Sequence, residues 1–152
     1  MRKELITNPT TFQTASEDGI DLEHIAIVEV TSEDKDFPIE SALSLHRGRG
    51  WRASEPGAQT IRLLFDKPQE IRRISLVFEE EQEARTQEFV LRSGAPFREL
   101  VRQQWNFSAP ASTRETEEYQ VGLSDVRVLE LTIVPNISGG ASHASLKSLR
   151  FV

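Results

Sequence analysis

The sequence predicts an all-β domain, a β-sandwich of about eight antiparallel strands for which a jelly roll is one natural form. Three observations carry that expectation. Short alternating or wholly apolar runs recur along the chain, turn residues separate them, and helical periodicity is nearly absent.

Residues 24–30 (HIAIVEV) are apolar on both faces apart from His24 and Glu29, the pattern of a well-buried strand. In 60–65 (TIRLLF), Ile61, Leu63 and Phe65 share one face, as do Ile74, Leu76 and Phe78 in 71–78 (IRRISLVF). Residues 86–92 (TQEFVLR) turn Phe89 and Leu91 inward. Residues 99–107 carry Val101, Trp105 and Phe107 in phase, with Gln103 between them. Residues 118–123 align Tyr119, Val121 and Leu123, and 126–134 (VRVLELTIV), the longest run, aligns Leu129, Leu131 and Ile133. Residues 145–152 close the chain with Leu149 and Phe151 inward. One short helix is expected at 38–45, because Pro38 is tolerated in a first turn and helix formers follow it. Residues 1–23 read as an irregular N-terminal segment of the same single domain, 1–152.

The connections alternate in length. Those at 66–70 (DKPQE), 93–97 (SGAPF) and 124–125 are short, whereas those at 31–59, 79–85, 108–117 and 135–144 are long. If successive strands run antiparallel, the long connections gather at one end of the sandwich and the tight turns at the other. The chain then enters and leaves at the tight-turn end. Long loops held by a rigid scaffold are where binding residues tend to sit.

At 152 residues the chain suits one domain, able to bury about 68–70% of its unfolded surface. It is 38% hydrophobic and 28% charged, and its net charge of −6 repels phosphate backbones. There is no cysteine, which excludes a disulfide framework, a thiolate metal site and a cysteine nucleophile. The first residues lack the apolar run of a signal peptide, so a cytoplasmic location is the expectation, with an extracellular one as the alternative. No membrane or nucleic-acid partner is expected.

From Val28 onward several segments carry a resemblance. VTSED, SAL, GRGWRAS, QTIRLLFDKPQEIRRISLVF, RTQEFVL and ASLKSLRF, in that order and spacing, resemble the discoidin or coagulation-factor type C family. That family belongs to the galactose-binding-like jelly rolls, and the resemblance spans 25–151. WRASEPGAQTIRLLF is also similar to the N-terminal domain of an X-ray repair scaffold protein of that fold. The resemblance implies non-catalytic binding of sugars, anionic lipid head groups or proteins, with ligands at the loop end opposite the termini. It also implies a structural calcium in many sugar-binding members, held by first-loop carbonyls and a late glutamate. Here Ser148 stands at that position with only a hydroxyl, although Glu33, Asp34 and Asp36 remain in the first loop. No cofactor is therefore expected.

Few residues read as chemistry. His24, His46 and His143 lack metal-ligand spacing, and Ser142 sits in no nucleophile elbow. The acidic runs 79–83 (EEEQE) and 115–118 (ETEE) have the residue type of a glycosidase pair, but such runs are more often solvated loop charge. Arg85 closes a long loop, where its planar fork can donate to sugar hydroxyls or to an anion. Trp105 is in phase with Phe107 and reads as core rather than as a stacking platform.

The segment SLHRGRGWRAS (44–54) reads as a structural corner. The resemblance implies that Trp51 anchors it and that Gly48 and Gly50 let the backbone turn, with Arg52 expected to support it and His46, Arg47 and Arg49 to edge the ligand end. The expected function is recognition of a carbohydrate or small polar ligand by Arg49, Arg85, Asn136, His143 and His46. An intracellular protein-interaction domain is the alternative, and a glycoside hydrolase the weaker one.

Overall fold

The computed structural model describes residues 2–4, 22–44, 48–80, 84–94, 97–108 and 113–152. Two strands of 21 residues each, β4 (Gln59–Glu79) and β7 (Arg114–Val134), form its frame. They pair antiparallel from Gln59 opposite Ile133 to Glu79 opposite Arg114. Midway the register shifts between Leu64 and Gln69, between Gln69 and Ile71, and again between Ile71 and Arg73. Residues 65–68 form the longer outer path there. Pro68, which cannot donate to a ladder, falls in this irregular stretch. On the β7 side Asp125 takes φ 56°, a left-handed conformation that aspartate tolerates better than most residues.

The doubled strand folds back on itself at this corner. Phe65, before it, meets Phe151, a register neighbour of Ile74 beyond it, with ring centroids 6.5 Å apart. Phe78, near the end of β4, stacks at 5.5 Å on Phe89, whose register partner Ile133 also faces Gln59 at the start of β4. One layer therefore holds β1 (Arg2–Glu4), β2 (Ala26–Val30), the first half of β4, the second half of β7, β5 (Arg85–Ser93) and β6 (Arg98–Phe107). The other holds β9 (Ser148–Phe151), the second half of β4 and the first half of β7. A separate ribbon pairs β3 (Trp51–Pro56) with β8 (His143–Leu146).

The core lies where the predicted phases meet. Ile61 and Leu63, Leu129 and Leu131, Ile74 and Leu76, and Leu149 and Phe151 are all buried. Trp105 is half-buried against Phe78, Phe89 and Phe107, with centroids 4.8, 5.7 and 5.7 Å away. On the outer face Arg62 joins β4 to β7 through Glu130 at 2.8 Å.

Several expectations need correction. The segments at 66–70 and 124–125 do not end strands, because the β4–β7 ladder resumes beyond them. Residues 114–117 are strand rather than loop, since the ladder extends to Arg114. Leu22–Ile25 form a short helix, α1, so the strand begins at Ala26. At the C-terminus β8 and β9 are split at Lys147, whose amide bonds to Val77 at 2.8 Å. The expected helix shrinks to α2 (Glu40–Leu43), and Arg2–Glu4 pairs with β2 instead of being irregular. No helix among the described residues is long and apolar enough to cross a membrane.

The two ends differ in their connections as predicted, and the chain leaves at the corner, where Val152 bonds to Arg72 and Arg73. It does not enter there: β1 starts toward the loop end, because Arg2 pairs with Glu29 whereas Ala26 is the β2 residue that faces Phe65 at the corner. At the other end Glu80 bonds to Thr113, and Ile137 to Thr86, joining three of the long connections.

One edge of the second layer carries charge toward the core. Glu115, Glu117 and Tyr119 stand directly opposite Phe78, Leu76 and Ile74, and so share their inward face. The Tyr119 hydroxyl donates to Glu117 Oε2 at 3.1 Å. Partial burial, then the charge of Glu117 and a hydrogen bond to it, raise the Glu115 carboxyl above its ordinary range. Burial followed by the same charge pushes the Tyr119 phenol up. A raised folded-state pKa means that the folded chain holds the Glu115 proton more tightly than the unfolded chain. That contribution is complete below the unfolded value and is lost as the pH rises through the folded one. Glu115→Gln is therefore expected to raise Tm at pH 7 and to leave it unchanged near pH 4, measured by thermal unfolding. An equal shift at both pH values would contradict this assignment.

Candidate functional site

The corner segment builds the floor of the loop end. Trp51 is 1% exposed, and its indole Nε1 donates to the Ser32 carbonyl at 3.1 Å. Ser32 Oγ donates to Gln59 Oε1 at 2.8 Å and accepts from the amides of Ser54 and Glu55. Gly50 has φ +86°, and a Cβ there would lie 2.7 Å from the Leu146 carbonyl oxygen. A Cβ on Gly48 would meet the Ser41 carbonyl oxygen at 2.5 Å. Both glycines let backbones approach where no side chain fits. Within the first loop Arg52 and Phe37 are tied by an amide–carbonyl bond of 3.1 Å, and Asp34 donates to the Arg52 carbonyl at 2.8 Å.

Acidic residues of that loop are engaged in its turns. Glu33 Oε1 accepts from the Ile39 amide at 2.6 Å and Asp34 Oδ1 from the Asp36 amide at 2.9 Å. Ser148 pairs with Val77 inside the second layer. Among the described residues no three acidic or histidine side chains gather where a metal ion would fit.

On one side of the loop end Arg85 and His143 come together. Arg85 is 7% exposed; its Nη1 donates to the His143 carbonyl at 3.1 Å and its Nη2 to Gln87 Oε1 at 3.3 Å. The guanidinium lies over the Phe107 ring. Arg85 thus holds the start of β8 against β5. His143 itself is exposed, with Nδ1 3.0 Å from the Ala53 carbonyl. A carbonyl only accepts, so Nδ1 carries a proton and donates to it. Thr86 donates to Asn106 next to Arg85. Asn136 is half-buried, and its Oδ1 accepts from the Ser138 amide at 3.0 Å. The bond between Ile137 and Thr86 brings this loop beside Arg85.

Arg49 stands apart from that group. It is exposed, and its guanidinium lies 4.5 Å from the Phe37 ring centroid, with that of Arg52 at 5.3 Å. These residues, with Trp51, Glu79, Glu80 and Lys147, border a cavity of about 220 Å³. A wider depression of about 650 Å³ lies at the corner end around Gly94, Gly122 and Asp125, and no aromatic ring lines it. His46 and Arg47 lie outside the described residues, as does the side chain of His24.

No protein-family description matches the sequence, and neither does any curated protein. Solved structures do. A family 32 carbohydrate-binding module of AlyQ, in complex with 4,5-unsaturated mannuronic acid, superposes with a TM-score of 0.60 at 17% identity, over 84% of this chain and 95% of that one. A Clostridium perfringens module of the same family, in complex with GalNAc-β-1,3-galactose, gives 0.61 at 16% identity over 82% and 92%. Reduced XRCC1, bound to the DNA polymerase β catalytic domain, gives 0.56 at 15% identity over 82% and 92%. The chain therefore has the β-sandwich fold of these solved domains, the fold class that the sequence predicted.

Sequence reasoning missed the pairing of Phe37 with two arginines, because Phe37 sits alone in a polar loop without periodicity. The corner itself is testable. Trp51→Ala is expected to cost about 3–5 kcal/mol in chemical denaturation. Gly50→Ala should destabilise by more than about 1 kcal/mol, because it adds both a strained φ and a backbone clash. Wild-type stability in either variant would contradict the described packing.

Proposed function

We propose that this protein is a non-catalytic module that binds carbohydrate at the long-loop end. The observation that carries the reading is convergence: the connections after β2, β4, β6 and β7 meet at one end, away from the corner and from Val152. Arg85, buried beneath the His143 carbonyl, orders the rim, while His143 Nε2 and the Asn136 amide group present polar contacts to sugar hydroxyls. Arg49 extends the same rim on its other side. The solved modules of like fold in complex with saccharides support this reading. The binding mode needs no metal, since Ser148 replaces the late carboxylate and Glu33 and Asp34 serve the loop's own amides.

A broad saccharide screen by thermal shift tests the reading. Saturable stabilisation by at least one saccharide is expected, reduced several-fold in affinity by His143→Ala and abolished by Arg85→Ala. No shift with any saccharide, together with stoichiometric capture of a protein partner, would replace it with a protein-interaction domain. In the same instrument a chelator is expected to leave Tm unchanged; a fall of several degrees would reveal a structural calcium.

A further inference from the structure

We infer that the ligand is an anionic saccharide, its charge borne by carboxylate or sulfate groups, and that Arg49, Arg52 and Lys147 around Phe37 read that charge. This inference rests on the glycan-binding reading above and names the class of its ligand.

The protein carries a net charge of −6, yet three cations border one cavity of about 220 Å³. Two carboxylates share that wall: Glu79 is held by Arg114 at 2.7 Å, and Glu80 is 8% exposed. Among the described residues Arg49, Arg52 and Lys147 form no ion pair. Three cations left without counter-ions beside a concave surface favour an anion, and their mutual repulsion falls when it arrives.

The cluster is also preorganised. Both guanidinium groups lie within 5.3 Å of the centroid of one ring, so Phe37 restricts them before any ligand binds. Phe37 and Arg52 are joined through the backbone, and the Lys147 amide is fixed to Val77 at 2.8 Å. Ordering long side chains in advance removes part of the entropy cost of binding. The planar fork of arginine matches the paired oxygens of a carboxylate or of a sulfate ester. The same ring argues against single-stranded nucleic acid. Phe37 already carries two arginines and offers no base-stacking platform, and the field of the whole chain repels a long phosphate polymer.

The test is calorimetric titration of uronic-acid oligosaccharides, matched neutral oligosaccharides, sulfated oligosaccharides and a single-stranded oligonucleotide. Arg49→Gln, Arg52→Gln and Lys147→Gln variants with wild-type Tm are titrated alongside. The expected result is at least tenfold tighter binding of the uronate or the sulfated ligand than of the matched neutral saccharide, weakening as salt is raised. Arg52→Gln and Lys147→Gln should each lose about fivefold or more for the anionic saccharide and almost nothing for the neutral one, and Arg49→Gln should lose more for the anionic saccharide than for the neutral one. Equal affinity for anionic and neutral saccharides, unchanged binding of the anionic saccharide in all three variants, or preference for the oligonucleotide would overturn the inference. In the first two of those cases glycan binding itself stands. Absence of binding to every saccharide would overturn both readings.

Discussion

The antiparallel ladder between β4 and β7, which resumes beyond an irregular corner, is the constraint on which the structure depends. Two 21-residue strands pair on both sides of that corner while both cross from one layer to the other. Once that pair doubles back, its two halves bring their apolar faces together, and Phe65, Phe78, Phe89 and Phe151 make the contact. Each remaining strand then adds to an edge already oriented. β2 joins the first half of β4, β9 joins the second, and β5 joins β7. The ladder also separates the ends of the molecule. The corner takes up the strand reversals, so the loops are concentrated at the other end.

At that end the same economy of backbone bonds shapes the surface. Trp51 and Gln59 tie the first loop to the sheet through Ser32, and Arg85 ties β8 to β5. The exposed polar groups, His143 and Arg49, are therefore carried on anchored segments. A site assembled this way loses little entropy when a ligand binds.

Much of this was legible in the sequence, because burial alternates along strands with a period of two. The inward sets Ile61–Leu63–Phe65 and Leu129–Leu131–Ile133 could be read directly, and the alternation of long and short connections placed the loop end. The corners misled because Asp66, Pro68 and Asp125 are turn residues by chemistry; they do mark a reversal, yet the reversal occurs within a paired ladder. β3 escaped notice because only Trp51 and Ala53 of its six residues are buried. In the site, the placement of Arg49 and His143 near one end followed from connection lengths. The burial of Arg85 did not, since it depends on how β8 docks against β5, a long-range contact that local pattern does not encode.

The central claim is that the end opposite the corner takes the ligand. The most direct measurement is a backbone-amide NMR titration with a saccharide found to bind. The account predicts saturable shift changes confined to the neighbourhood of Arg49, Arg85, Asn136 and His143, with Gly94, Gly122 and Asp125 unmoved. Shift changes centred on the corner residues, with the loop end silent, would contradict it.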